Sequence, residues 1–158
     1  MIFMGNSPKT SQSCIVDTVF GIDVQIKEPV NIYGCTIGAN VSIGPFVEIQ
    51  KGVIIGKETK IQSHSFICEL VSIGENCFIG HGVMFINDLF ENGQAAGGDT
   101  SKWKSTNISN HVSIGSNATI LPVKICENVV IGAGSVVTKD IKLSGIYAGN
   151  PAKLIRTL

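Results

Sequence analysis

The sequence predicts a single all-β domain wound as a parallel β-helix, and three observations carry that expectation. Isoleucine occupies Ile37, Ile43, Ile49, Ile55, Ile61, Ile67, Ile73 and Ile79, every sixth position without a miss. A smaller residue often lies four positions further on, as at Val41, Val47, Val53, Val71 and Val83. Glycine often follows the isoleucine directly, as at Gly38, Gly44, Gly56, Gly74 and Gly80. A period of six is neither the 3.6 of a helix nor the plain alternation of one strand. It fits three short strands joined into a triangular coil, each face turning one large and one smaller side chain to the axis.

Taken in order, Phe20, Ile26 and Ile32 carry the repeat, and a five-residue step leads to Ile37. The pattern stops after Phe85-Ile86 and resumes at Ile108, Ile114 and Ile120. A second five-residue step reaches Ile125, followed by Ile131, Val137 and Leu143. Val24, Val30, Val112, Ala118, Val129 and Ser135 supply further inward partners, and Gly115 and Gly132 further corner glycines. Those glycines are expected to give the corners backbone freedom. The repeat amounts to roughly five to six coils, a prism ~25–30 Å tall at ~4.8 Å per layer.

The repeat is broken by residues 87–107, a stretch rich in Gly, Asn, Asp and Ser that holds the only tryptophan, Trp103. A long loop ejected from a regular solenoid is usually functional. A tryptophan on such a loop wants a covering surface, so the loop is expected to reach over a neighbouring subunit and wall a pocket.

Composition bounds the rest. The 158 residues are one domain, 1–158, by length. A formal net charge of zero argues against nucleic-acid binding. No apolar run approaches the ~20 residues of a membrane span. The start Met1-Ile2-Phe3-Met4 lacks a secretion signal's charged flank and long apolar core, so a cytoplasmic location is expected. Cys14, Cys35, Cys68, Cys77 and Cys126 form no CxxC pair and read as small buried or wall residues in a reducing compartment. Outward apolar residues, Val19, Phe46, Phe66, Phe78 and Val130, need cover. Three-fold packing of prisms provides it, so a homotrimer with clefts between subunits is expected.

The segment Ile131-Gly132-Ala133-Gly134-Ser135-Val136-Val137-Thr138-Lys139-Asp140, with Ala148-Gly149-Asn150-Pro151-Ala152-Lys153-Leu154-Ile155-Arg156 after it, resembles the C-terminal signature of the hexapeptide acyltransferases. Gly80-His81-Gly82-Val83-Met84-Phe85-Ile86-Asn87-Asp88 is similar to a narrower branch, the N-acetyltransferases of nucleotide-linked 3-amino sugars in bacterial surface polysaccharide synthesis. That branch typically continues Asn-Asp-x-x-Pro-Arg-Ala, where this chain has Leu89-Phe90-Glu91-Asn92-Gly93. The resemblance implies a left-handed coil, an exception to the usual right-handed crossover. It also implies an extruded loop, a short C-terminal tail and acetyl-coenzyme A as donor between two prisms. Ser116, Ala133 and Gly134 would then offer backbone groups to the pantetheine arm, and Thr138, Lys139, Lys153 and Arg156 would meet the nucleotide end. From Lys139 onward Lys139, Lys142, Lys153 and Arg156 face one acid, Asp140, an excess suited to the coenzyme's phosphates.

Acetyl transfer to an amine needs a neutral amine, a proton acceptor and a donor for the thioester oxyanion. His64 and His81 lie three hexads apart, expected on one face and one coil apart; the spacing does not fix the face of His111. His81, Asn87, Asp88 and His64 are the catalytic candidates. Asp88 would accept or orient the sugar ammonium and Asn87 a sugar or acyl oxygen, or both simply cap the turn. Glu48, Glu69 and Trp103 are the substrate-binding candidates. Hexapeptide enzymes that acetylate hydroxyls, such as the galactoside and maltose acetyltransferases, place a catalytic histidine in the extended loop, and 87–107 contains none. The expectation is therefore an acetyl-CoA-dependent N-acetyltransferase acting on a dTDP- or UDP-linked 3-amino-dideoxyhexose. The alternatives are O-acetylation of another small acceptor, a binding-only solenoid, and a γ-carbonic-anhydrase-like metal protein. The last needs three histidines on a shared zinc, and the spacing of His64, His81 and His111 does not resemble that set; no metal is expected.

Overall fold

The structure, a computed structural model, describes residues 15–158; the Met1–Met4 start and Cys14 lie outside the described residues. Three sheets, parallel but for the last strand, form the faces of a prism. The first face stacks Ile15–Val16, Asn31–Tyr33, Glu48–Ile49, Phe66–Ile67, Met84–Phe85, Thr119–Ile120 and Val136–Val137. The second stacks Val19–Phe20, Thr36–Ile37, Ile54–Ile55, Val71–Ile73, Thr106–Ile108 and Lys124–Ile125. The third stacks Gln25–Ile26, Ser42–Ile43, Lys60–Ile61, Phe78–Ile79, Ser113–Ile114, Val129–Ile131 and Gly145–Ala148, with Lys153–Arg156 returning antiparallel at its edge. The coil is a left-handed β-helix of about 7 turns, more than the five to six expected, because residues from Ile15 onward already form a layer. We call the corners X (third face to first), Y (first to second) and Z (second to third).

The core is an isoleucine ladder. Ile32 pairs with Ile49 and Ile49 with Ile67 on the first face, and Ile43 pairs with Ile61 on the third. All are at most 2% exposed. Burying each such side chain contributes about 1.5–3 kcal/mol. The smaller inward row includes Cys77, buried as expected, and Thr59, Ser65 and Thr106, which polarity had hidden. Their hydroxyls are satisfied: Thr59 Oγ1 donates to Gly74 O at 2.9 Å and Ser65 Oγ to Gly80 O at 2.8 Å. Each five-residue step drops one corner residue, so Cys35 and Val123 turn inward three rather than four places after the isoleucine. Burial pushes the Cys68 thiol up to about 12. Phe20 is 38% exposed, its strand being the edge of the second face among the described residues.

Four expectations need correction. The glycines after the isoleucines do not supply left-handed backbone. A Cβ at Gly38 would lie 2.6 Å from Lys57 N, and one at Gly44 2.7 Å from Ser63 N, so it is the close stacking of coils that excludes a side chain. The left-handed residue is instead the second of each corner, including Asn40, Phe46, His64 and Asn117. The last inward residue is not Leu143, which is exposed, but Ile141, which bridges to Ile125. The loop closes two residues early: Thr106–Ile108 is a strand paired with Val71–Ile73, leaving 87–105 extruded. Lastly, the outward apolar residues share no single surface: Val19 is on the second face, Phe66 on the first, Phe78 and Val130 on the third, Phe46 at corner X. Among the described residues no helix is long and apolar enough to cross a membrane.

Candidate functional site

Corner X is a ladder of backbone hydrogen bonds. Phe46 N donates to Pro29 O, His64 N to Pro45 O at 3.2 Å, Gly82 N to Ser63 O at 3.0 Å, Asn117 N to His81 O at 2.7 Å, and Gly134 N to Ser116 O at 2.8 Å. The rungs, rising toward the C-terminal end, are therefore Pro45–Phe46, Ser63–His64, His81–Gly82, Ser116–Asn117 and Ala133–Gly134. His64 and His81 do lie one coil apart, but at a corner rather than on a face, and in different places within it. His81 sits above Ser63, with Nδ1 2.8 Å from Ser63 Oγ, which leaves Nε2 as the uncommitted ring nitrogen. His64 is the left-handed second residue, and its ring stacks on Phe46 with centroids 4.9 Å apart and planes 30° apart.

The coenzyme candidates divide between corners. Ser116, Ala133 and Gly134 are the two rungs directly above His81, and Ala133 and Gly134 are exposed. A Cβ at Gly134 would meet nothing within 4 Å, so the track there is open. Lys153 begins the return strand, paired with Ala148, and tops the same corner. Thr138 and Lys139 instead follow the last first-face strand at corner Y, and Arg156 pairs with Ile146 at the far end of the return strand. Asp140 accepts from Lys124 N at 2.8 Å, so its carboxylate is tied to backbone.

Asn87 and Asp88 open the loop at corner Y, at the other end of the first-face strand from His81. The six residue steps from His81 to Asn87 span at most roughly 20 Å at ~3.3 Å per residue. Asn87 Nδ2 donates to Glu69 O at 3.2 Å. Gln50 links the acidic candidates below: its Nε2 donates to Glu48 Oε1 at 2.9 Å, and its Oε1 accepts from Glu69 N at 3.3 Å. Burial, then the charges of Glu48 and Glu69, raise the pKa of nearby Tyr33. Both Asp88 oxygens serve the loop, accepting from Ala96 N at 2.7 Å and Phe90 N at 3.0 Å. Those amides hold the Asp88 carboxyl below its usual range, which makes it a poor proton acceptor. Trp103, half-buried, ends a short turn at Thr100–Lys102 whose Asp99 accepts from Ser101 N.

His111 is the left-handed residue of corner Z, on Glu75, so the three histidines do not converge within one chain. Among the described residues no three His, Cys, Asp or Glu stand where they could hold a metal. Ser63 and Phe46 were not singled out as site residues from sequence. Counting eighteen residues, one coil, back from His81 and His64 finds them both.

Comparison with known proteins fits this geometry. A family model described as bacterial transferase hexapeptide (six repeats) matches residues 34–69. A second, hexapeptide repeat of succinyl-transferase, matches 70–84 and 106–139, skipping the loop. The bifunctional protein GlmU of Thermosipho africanus is 36% identical over 123 residues, 77% of this chain and 25% of that protein. GlmU of Thermotoga sp. strain RQ2 is 30% identical over 172 residues, 99% of this chain and 38% of that protein. The chain thus spans well under half the length of these relatives. Among solved structures, a hexapeptide-repeat acetyltransferase of Vibrio cholerae complexed with acetyl-coenzyme A is 25% identical with a TM-score of 0.68, over 79% of this chain and 71% of that one. An N-acyltransferase of Bacillus cereus, AntD, in complex with dTDP-4-amino-4,6-dideoxyglucose and coenzyme A, shares the fold at 22% identity and a TM-score of 0.59, over 89% and 83%.

Proposed function

The chain belongs to the hexapeptide-repeat acyltransferase family, and from that premise we propose that it is an acetyl-coenzyme A-dependent N-acetyltransferase acting on the amino group of a nucleotide-linked amino sugar. One observation carries the reading: His81, its Nδ1 held by Ser63, stands on the same ladder and directly below the small open rungs of Ser116, Ala133 and Gly134. A thin pantetheine arm lying along those rungs brings its thioester to the level of the imidazole, with Lys153 at the top for a phosphate. The acetyl-CoA complex of the Vibrio cholerae relative and the amino-sugar complex of AntD support the choice of donor and acceptor.

The neutral amine attacks the thioester carbonyl, a C–N bond forms, the C–S bond breaks, and the departing thiolate takes up the amine's proton by way of His81. His81 Nε2 receives the proton that the new ammonium sheds. Asp88 stays anionic and attracts the incoming ammonium, which gives its proton to solvent before the attack, instead of serving as base. His64, stacked on Phe46, positions substrate. Since Asn87 and Asp88 stand far from His81 in their own chain, the loop that completes a site comes from a neighbouring copy, which makes the working unit a homotrimer. The apolar pair Phe66 and Met84, adjacent on the first face, supports that packing.

Thiol release from acetyl-coenzyme A tests the reading, with dTDP- and UDP-linked 3-amino and 4-amino sugars and a galactoside as acceptors. Release with an amino sugar is expected. Release with the galactoside alone would replace N- by O-acetylation.

A further inference from the structure

Phe46 is an unusual residue for its place. It occupies the left-handed second position of a corner, with φ 61°, where a large side chain is disfavoured; the same place on the rungs above carries His64, Gly82, Asn117 and Gly134. Its ring is 57% exposed yet ordered against His64. Below it the surface dips between Phe46, Pro29, Asn31 and Glu48. On the third-face side of the same corner lie Lys27 and Lys60, both exposed and neither in an ion pair among the described residues.

We propose that the Phe46–His64 pair is a stacking platform for the base of a nucleoside diphosphate, whose phosphates lie toward Lys60, in the coil between Phe46 and His81. The inference rests on the nucleotide-linked acceptor proposed above and names its subsite. Exposed aromatic rings bind bases by stacking whatever the base, because every base has a π-face. The Asn31 amide offers one donor and one acceptor, the complement of a pyrimidine's N3–H and O4 edge. Glu48 is placed to accept from ribose hydroxyls. Within the platform His64 lies one coil and Phe46 two coils below His81, about 5–10 Å at ~4.8 Å per coil. Ribose and diphosphate bridge that interval and deliver the sugar's amine to His81. Corner X is then read as one line: base at Phe46, amine at His81, coenzyme arm at Ser116 to Gly134.

The test titrates dTDP and UDP calorimetrically into the wild-type protein, Phe46→Asn and Phe46→Tyr. Asparagine tolerates the left-handed corner and removes the ring, so the fold is spared. Wild type and Phe46→Tyr should bind both nucleotides, and Phe46→Asn should bind them roughly tenfold or more weakly. Acetyl-coenzyme A affinity and sedimenting mass should not change. Equal nucleotide binding by Phe46→Asn would overturn the platform and leave the nucleotide-linked acceptor standing. Acetyl-coenzyme A binding without nucleotide binding by the wild type would overturn both. A changed mass in Phe46→Asn would make Phe46 a subunit contact, and the platform would fall.

Discussion

At the residue scale the decisive contact is Ser63 Oγ to His81 Nδ1 at 2.8 Å. A hydrogen bond to one ring nitrogen selects the state of the other, and here it orients Nε2. His81→Ala should lower kcat by about 10²–10⁴, the usual share of general acid–base catalysis. Ser63→Ala should lower kcat by about tenfold, the equivalent of one ordinary hydrogen bond, with KM for acetyl-coenzyme A unchanged. Ser63→Thr, which keeps the hydroxyl, should restore it. A kcat in Ser63→Ala equal to wild type would remove Ser63 from the mechanism. His81 was legible as a candidate because it falls in a recognisable segment; its partner was legible only through the coil period, since the two are eighteen residues apart. The corner glycines were legible as a pattern but not in their cause. Their constraint is the backbone of the next coil, which no single hexad displays.

At the scale of elements, the loop and the coil edge fail in different ways. The loop is organised by Asp88, whose carboxylate bonds to Ala96 N and Phe90 N lower its pKa. A depressed carboxyl contributes order that is complete above its unfolded value of about 3.9 and is lost as pH falls through the folded value. The protection factor of the Ala96 amide, its exchange relative to an unstructured peptide at the same pH, should therefore be high at neutral pH and fall once the pH drops below about 4. The same amide should exchange fast at neutral pH in Asp88→Ala. Equal protection in that variant would mean that the loop is ordered by something else. On the coil edge, Gly38→Ala forces a Cβ against Lys57 N and should destabilise by about 1–3 kcal/mol in thermal unfolding, as overpacking does. A variant as stable as wild type would restore the flexibility reading. The end of the loop escaped the sequence because Thr106 fills an inward place usually held by valine, its hydroxyl satisfied by Leu121 O at 3.3 Å.

At the scale of the whole molecule, period six was enough to specify a prism, yet not how prisms share a site. Sequence spacing put His64 and His81 close to Asn87 and Asp88, because all fall within one and a half coils. A solenoid turns such neighbours to different corners: His81 goes to X, and Asn87 and Asp88 go to Y. The proposal that the missing half comes from a second copy makes a quantitative prediction. His81→Ala lacks the proposed base but keeps the loop, and Trp103→Ala lacks the loop's aromatic side chain but keeps that proposed base. A site built from corner X of one copy and the loop of the next is intact only where a Trp103→Ala chain faces a His81→Ala chain in that order. In an equal mixture, dissociated and reassembled, about one site in four meets that condition in a ring of identical interfaces. Two variants, each nearly inactive alone, should thus recover about a quarter of wild-type turnover when co-assembled. A site formed within one chain gives no recovery at any ratio, and a mixture that stays inactive while sedimenting as a mixed trimer would return the loop to its own subunit.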